Sequence, residues 1–154
     1  MDVYRIGQTR YANDRNGSGA GARWNSPGQY IIYTGGSLAL SCLEKLAHSA
    51  GTSLYAGDFS VTTYRIPDKL RIKEIKLAQL TKIETGWQKI INYPYTQAIG
   101  DQWLLARQTA VLKVPSAIIG LEYNYLLNPA HPDFDKIKIS SVQPFSFDER
   151  LASP

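Results

Sequence analysis

Strand-like segments outnumber helix-like segments in this sequence, and the two kinds do not alternate. Apolar runs of strand character, separated by turn signals that contain Gly or Pro, lie near 3–6, 30–34, 59–66, 70–77, 110–114, 117–121 and 136–142. Helical periodicity is confined to 38–49 and 96–107. Because a doubly wound sheet requires regular alternation of strands and helices, this order predicts an α+β fold instead.

The length, the cysteine count, the apolar runs and the net charge limit which class of protein this chain can belong to. The 154 residues fit one domain, which we assign to 1–154, and the single cysteine, Cys42, excludes an intramolecular disulfide. The first residues lack the apolar core of a signal peptide, and no apolar run approaches the length of a membrane span. We therefore expect a cytoplasmic protein without membrane association. The formal charge of +4 favours an anionic partner, although the basic residues form no dense run typical of a nucleic-acid-binding tail.

Two arginines are candidate ligand contacts. The segment 13–28 is rich in Gly, Ser, Asn and Asp, and such a loop lets the backbone approach a ligand closely. Arg23 follows the glycines of this loop, and Arg5 lies between apolar residues on the opening strand. A guanidinium offers paired donors that match phosphate or carboxylate oxygens. Each arginine therefore fits either a structural ion pair or a phosphate clamp.

The helix at 38–49 has two distinct faces. Ser37 is expected to cap its N-terminus. The residues that can share an apolar, buried face are Ala39, Leu43, Leu46 and Ala47. The residues that share a polar stripe, at spacings of four, three and four, are Ser37, Ser41, Glu44 and His48. This stripe is either a solvated face or one wall of a cleft, where the Glu44 carboxylate would bind ribose hydroxyls and stabilise a growing oxocarbenium charge.

Two further residues allow both a structural and a functional interpretation. Tyr33 is either a core aromatic or a ring that stacks on a nicotinamide, and Ser116 is either a turn serine or a ligand contact. No G-x-S-x-G sequence surrounds Ser116, so serine-hydrolase chemistry is unsupported. One cysteine and two histidines cannot supply the usual zinc ligands, and neither a P-loop nor a dinucleotide-binding glycine motif is present. We therefore expect no metal.

Taken in order, several segments make this sequence resemble the RES-domain family. The matching segments are Tyr4-Arg5, GARWNSPGQYIIYTGGSLALSCLEKLAH, GDQWL, LKVPSAI, NYLLNPAHPDF and PFSFDERL. Each is unspecific alone, but the ordered set is specific and covers nearly the whole chain. Where the family usually has a second glycine before the loop arginine, this sequence has Ala22, which adds one methyl group beside Arg23.

The resemblance implies both a fold and an activity. The expected fold is a small α+β domain similar to ADP-ribosyltransferases, with split or mixed β-sheets and a few helices around an NAD cleft. The expected activity is that of the toxin in a bacterial toxin–antitoxin pair, which degrades NAD+ by hydrolysis or phosphorolysis of its nicotinamide–ribose bond. The expected partner is an Xre-type helix-turn-helix antitoxin, through which alone DNA would be contacted. NAD+ is then the substrate, and no further cofactor is expected.

The same resemblance assigns the site residues. The family positions fall on Arg5, Arg23, Tyr33, Glu44, Ser116 and Asn128. The two arginines would hold the pyrophosphate and Tyr33 would stack on nicotinamide. Glu44 would bind the ribose hydroxyls and stabilise the oxocarbenium, and Ser116 would orient ribose or nicotinamide without acting as a nucleophile. Asn128 is expected to contact the bound NAD+.

Three other functions stay open on the sequence. A protein-modifying ADP-ribosyltransferase would use the same site and donor and would differ only in its acceptor. An RNA-cleaving toxin fits the positive charge, but neither His48 nor His131 has an evident acid–base partner in the sequence. A non-catalytic module that only binds an antitoxin is disfavoured, because the residues that the chemistry needs occur together.

Overall fold

The computed structural model describes residues 1–49, 54, 57–81, 83 and 86–151. The strands are β1 (Asp2–Gln8), β2 (Ile32–Gly35), β3 (Phe59–Arg65), β4 (Ile72–Glu74), β5 (Val111–Pro115), β6 (Tyr123–Leu127) and β7 (Lys138–Phe145). The α-helices are α1 (Leu38–Ala47), α2 (Leu77–Leu80) and α3 (Tyr93–Ala106). Short 3-10 turns occupy Thr9–Tyr11, Ile90–Asn92, Pro132–Lys136 and Glu149–Leu151. The elements form an α+β fold, which confirms the predicted class.

The described strands form one seven-stranded mixed sheet in the order β4-β5-β6-β2-β1-β3-β7. Among these strands β4 and β5 alone pair in parallel, and all other neighbours are antiparallel. Pairing between β1 and β2 is limited to Tyr4 with Gly35, whereas β1 pairs with β3 from Asp2 to Gln8. Because one residue pair joins them, β1 and β2 diverge and the sheet is nearly divided into two halves. This division is where the candidate site lies.

The half of the sheet that carries β2, β5 and β6 is buried on both faces. Successive side chains of a strand point to opposite faces, so neighbours along the chain enter different cores. Leu112 and Leu126 pack with Trp103 of α3, while Val111 and Leu127 pack in a second core on the opposite face. This double burial holds β2 and β6 rigidly, and both strands contribute residues to the site.

Helix α1 packs against the sheet with its polar stripe, contrary to the prediction from its apolar residues. The Ser37 side chain accepts a hydrogen bond from Leu40 N at 3.1 Å, which confirms the predicted cap. Ser41 is buried, and its Oγ donates to Tyr4 O at 2.8 Å. A Cβ atom at Gly35 would lie 2.5 Å from Ser41 Oγ, so α1 rests directly on β2.

The predicted apolar face of α1 is wrong. Its members are exposed or only half-buried: Ala39, Leu43, Leu46 and Ala47. The buried side chains of α1 are instead Leu40 and Ser41, while Cys42 and Leu46 pack against an apolar cluster that contains Phe59. The buried face is therefore rotated away from the predicted one.

The predicted strand at 117–121 is also wrong. Ser116 N donates to Glu122 O and Glu122 N donates to Ile119 O, both at 2.9 Å, and these bonds close a tight connection between β5 and β6. The Ser116 hydroxyl also accepts from the backbone N–H groups of Ile118 and Ile119, each at 3.0 Å. A serine side chain that binds nearby backbone in this way competes with strand pairing. The run of apolar residues is therefore a turn, and β6 follows it.

Several other segments differ in extent from the sequence prediction; the strand predicted at 136–142, for example, is β7 at Lys138–Phe145. The segment 70–77 contains a strand only at Ile72–Glu74, and α2 follows it. The second helix begins at Tyr93, three residues before the predicted start at 96.

A helix that spans a membrane must be both long and apolar. Over the described residues, none of the helices combines the length and the apolar composition needed to span a bilayer.

Candidate active site

A cavity of about 360 Å³ opens where β1 and β2 diverge. Its walls come from both strands, from the polar face of α1, from the loop before β2 and from the ends of β5 and β6. The structure brings four of the predicted site residues to this one cavity: Arg5, Arg23, Tyr33 and Glu44. The volume falls within the range of small-molecule sites, which is about 300–1,000 Å³.

The Glu44 carboxylate is held by two neutral donors. Ser116 Oγ donates to Glu44 Oε1 at 2.9 Å, and Asn124 Nδ2 donates to the same oxygen at 2.6 Å. No donor from the described residues hydrogen-bonds to Oε2 of this half-buried side chain. Two bonds to one oxygen orient the carboxylate, so the other oxygen is available to a ligand in the cavity.

Ser116 is buried, and its hydroxyl uses all of its hydrogen-bonding positions within the protein. Besides its bond to Glu44, its Oγ accepts from the backbone N–H groups of Ile118 and Ile119. Both lone pairs of the hydroxyl are therefore occupied and its proton is directed at the carboxylate. This geometry suits a residue that positions Glu44 and does not suit a nucleophile.

Asn124 is a site residue that the sequence analysis does not identify. It lines the cavity on β6, opposite Gly35 of β2. The available signal was that Asn124 opens the NYLLNPAHPDF segment, but β6 was not predicted as a strand. Without that strand, the alternation that places residue 124 toward Glu44 could not be inferred.

Asn128, from the same segment, does not line this cavity. It is buried, its Oδ1 accepts from Ala130 N at 3.0 Å and its Nδ2 donates to Leu104 O at 3.4 Å. The side chain closes the turn after β6 and ties it to α3. The structure thus places Asn128 outside this cavity, with its polar atoms bound to backbone, and its contact with NAD+ stays a prediction.

Tyr33 is anchored by its hydroxyl. The hydroxyl donates to Asn25 Oδ1 at 2.6 Å and accepts from Trp24 N at 3.1 Å. Burial raises the pKa of Tyr33 well above its usual range, so the hydroxyl stays protonated. Because the hydroxyl is already hydrogen-bonded to the loop before β2, the aromatic ring is the part of Tyr33 that can contact a ligand in the cavity.

The turn that carries Arg23 is tight and unstrained. Ala22 N donates to Asn25 O at 2.9 Å, and Arg23 and Trp24 form the turn between them. Arg107 is the one non-glycine residue with positive φ among the described residues, so Ala22 has ordinary backbone angles. The extra methyl group at position 22 therefore causes no backbone strain beside Arg23.

Helix α3 holds this turn in place through hydrogen bonds and close packing. Thr96 Oγ1 donates to Arg23 O at 2.6 Å, and Asp101 Oδ1 accepts from Ser26 N at 3.0 Å. Gly100 lies between these contacts, and a Cβ atom there would be only 1.8 Å from Trp24 O. The backbone of the turn thus packs directly on the backbone of the helix.

The cavity carries more positive than negative charge. Its lining includes Arg5, Arg23 and Lys45 against the single carboxylate of Glu44. None of these three cations forms an ion pair within the described part of the chain. Arg5 Nη1 is buried, and no hydrogen-bond partner for it exists among the described residues. A buried guanidinium without a partner is costly, so this arrangement fits a site for an anionic ligand and not a structural ion pair.

The histidines make local contacts. His48 lies at the end of α1 beside the cavity, and its Nδ1 donates to Glu44 O at 2.8 Å. His131 Nδ1 accepts from Asp133 N at 3.0 Å. Over the described ranges, no group of three or more His, Cys, Asp or Glu side chains could hold a metal ion.

The chain is similar to proteins of one family. It matches the family model described as the RES domain over residues 2–148. It is 38% identical to "Toxin Res" from Yersinia enterocolitica, over 98% of this chain and 99% of that protein. It is 35% identical to "Prs ADP-ribosylating toxin" from Sphingobium sp., over 94% of this chain and 90% of that protein.

A solved structure shares the fold. A chain from the crystal structure of the M. tuberculosis MbcT–MbcA toxin–antitoxin complex superposes with a TM-score of 0.76 at 18% identity. The match covers 95% of this chain and 84% of that chain. At this identity the likeness shows a shared fold.

Proposed function

The chain belongs to the RES domain family, and on that premise we propose that it is the toxin of a bacterial toxin–antitoxin pair and that it cleaves the nicotinamide–ribose bond of NAD+. The observation that carries this proposal is one oriented carboxylate, Glu44, in a cavity lined by three cations that have no ion-pair partner in the described ranges. NAD+ has the matching charges, with an anionic pyrophosphate beside a cationic nicotinamide riboside.

The residues of the cavity fit the separate parts of this substrate. Arg5, Arg23 and Lys45 supply the positive charge that would hold the pyrophosphate. The ring of Tyr33 would stack on the nicotinamide. Glu44 would face the ribose, with Oε2 free to accept from a ribose hydroxyl.

The Glu44 carboxylate would assist the cleavage of the nicotinamide–ribose bond electrostatically. When the bond between C1′ and the ring nitrogen breaks, the electron pair moves to nitrogen, neutral nicotinamide leaves and positive charge develops on the ribose. A fixed negative charge beside the ribose stabilises that transition state. The acceptor then forms a bond to C1′ and loses a proton. The scheme needs no further cofactor, because the leaving group is already cationic in the substrate.

The acceptor defines the reaction class. Water would give ADP-ribose, and inorganic phosphate would give a phosphorylated ADP-ribose; we propose that the enzyme is a glycohydrolase or a phosphorylase. A second candidate is a transferase that modifies a protein, and the name of the Sphingobium relative favours it. RNA cleavage has less support, because His48 lines the cavity and His131 does not, so the two histidines do not form an acid–base pair there.

We also propose a cognate antitoxin of the Xre type as the protein partner, with DNA contacted only through it. The solved structure of the same fold comes from a toxin–antitoxin complex. An enzyme that consumes the NAD+ pool would act in the cytoplasm.

The first test is NAD+ consumption by the purified chain, with and without inorganic phosphate, with products identified by mass spectrometry. Loss of NAD+ with release of nicotinamide is expected, and the second product identifies the acceptor. The Arg23→Ala protein, folded as judged by circular dichroism, is expected to show greatly reduced turnover. Stable NAD+ under both conditions, also with added protein acceptors, would contradict the proposed function.

Ser116→Ala distinguishes a positioning serine from a nucleophile. The variant removes one of two hydrogen bonds to the Glu44 carboxylate and leaves the bond from Asn124. We expect kcat for NAD+ cleavage to fall roughly 10- to 100-fold, since one hydrogen bond to a charged group is lost. Steady-state kinetics measure the change. The matched control is Ser140→Ala on β7, whose exposed hydroxyl bonds to Thr63 O; complete loss of turnover in Ser116→Ala alone would indicate a covalent role instead.

A further inference from the structure

Among the residues that the structure describes, aromatic rings and not a carboxylate hold the Arg23 guanidinium. Its Cζ lies 4.8 Å from the ring centroid of Tyr93 and 5.6 Å from that of Trp87. Its Nη1 also donates to Trp87 O at 3.2 Å. Tyr93 is the first residue of α3, and Trp87 is buried in the core beside Trp24, with 6.0 Å between the two ring centroids.

The kind of group that contacts Arg23 determines how much of its positive charge is left for a ligand. A carboxylate would orient an arginine but would also neutralise it. An aromatic face attracts the cation through its quadrupole and adds no net negative charge. Arg23 therefore keeps its full charge for a ligand while its side chain is ordered before the ligand binds.

We propose that Tyr93 and Trp87 are positioning residues that hold Arg23 ready for the diphosphate of the substrate. This inference rests on the proposed function, because it assigns the anion at Arg23 to the pyrophosphate of NAD+. Neither ring lines the cavity, and both act through Arg23. Their loss should weaken anion binding more than it slows the chemical step.

Tyr93 is the better residue to test, because it is only half-buried while Trp87 belongs to the core. Tyr93→Leu keeps an apolar side chain and removes the ring, and Tyr93→Phe keeps the ring and removes the hydroxyl. The matched control is Tyr95→Leu, an exposed tyrosine in the same first turn of α3. The probes are inorganic pyrophosphate, titrated by calorimetry, and NAD+, followed by steady-state kinetics.

We expect Tyr93→Leu to weaken pyrophosphate binding about 5- to 30-fold and to raise KM for NAD+ by a similar factor with little change in kcat. Tyr93→Phe should restore most of the affinity, and Tyr95→Leu should match the parent protein. In the Arg23→Ala background, Tyr93→Leu should cause no further loss, because the ring acts only through the missing guanidinium.

Two results would overturn the inference. One is an equal loss of pyrophosphate affinity from Tyr93→Leu with and without Arg23, which would mean that the ring acts on the fold. The other is unchanged affinity in Tyr93→Leu. If the parent protein binds pyrophosphate but cleaves no NAD+, the proposed function fails, while the titrations still test the role of the rings.

Discussion

Replacing Glu44 by glutamine is expected to lower kcat for NAD+ cleavage by about 10²- to 10³-fold, the cost of removing one electrostatic group from a preorganised site. The glutamine oxygen can still accept from Ser116 and Asn124, so the fold and the cavity should be retained. What is lost is the negative charge beside the ribose at the moment when positive charge develops there. KM should change little, because this interaction strengthens in the transition state.

The measurement is single-turnover and steady-state release of nicotinamide, with thermal unfolding as the check on the fold. Glu74→Gln is the matched control: Glu74 on β4 pairs with Lys113 of β5, away from the cavity. Its kcat should equal that of the parent protein. A folded Glu44→Gln protein with undiminished turnover would rule out the assigned role of this carboxylate.

Gly100→Ala is expected to cause the largest loss of stability among small substitutions. The added Cβ would lie 1.8 Å from Trp24 O and 2.7 Å from Trp24 C, and neither atom can rotate away because both belong to the backbone. Alanine is favoured over glycine inside a helix by about 1 kcal/mol, but separating α3 from the turn should cost about 3 kcal/mol or more. The net loss of about 2 kcal/mol or more should lower the midpoint of thermal unfolding by at least about 4–8 °C.

The same substitution should impair the site, because Trp24 is adjacent to Arg23 and α3 holds this turn through Thr96. Affinity for NAD+ should therefore fall in whatever fraction remains folded. Gly120→Ala is the control: a Cβ atom there meets nothing within 4 Å and its φ is not positive. A Gly100→Ala protein that unfolds at the parent temperature would show that the turn does not pack on α3 in this way.

The local features of the fold could be predicted from the sequence. The cap at Ser37, the extent of α1 and the strands β1, β3 and β5 follow from neighbouring residues, because capping, periodicity and turn residues act within a few positions. The loop at 13–28 was predicted for the same reason. The segment 117–121 was mistaken for a strand, because its composition does not reveal that the Ser116 hydroxyl binds the next two N–H groups.

Only some residues of the candidate site could be predicted from the sequence. Residue patterns make Arg5, Arg23, Tyr33 and Glu44 candidates and the family resemblance assigns them to one site; the structure places all four at one cavity. The asparagine that contacts Glu44 is Asn124, which the sequence analysis does not identify, while the predicted Asn128 lies outside the cavity.

The α+β class, most of the helices and strands, and the residue types that the chemistry needs can be read from the sequence. The arrangement that makes them a site depends on the tertiary structure: the single-pair contact of β1 with β2, the inward direction of the polar face of α1, and the rings of Tyr93 and Trp87 over Arg23. Each of these joins segments distant in the sequence. Their energies come from packing and pairing in three dimensions, which the pattern along the chain does not encode locally.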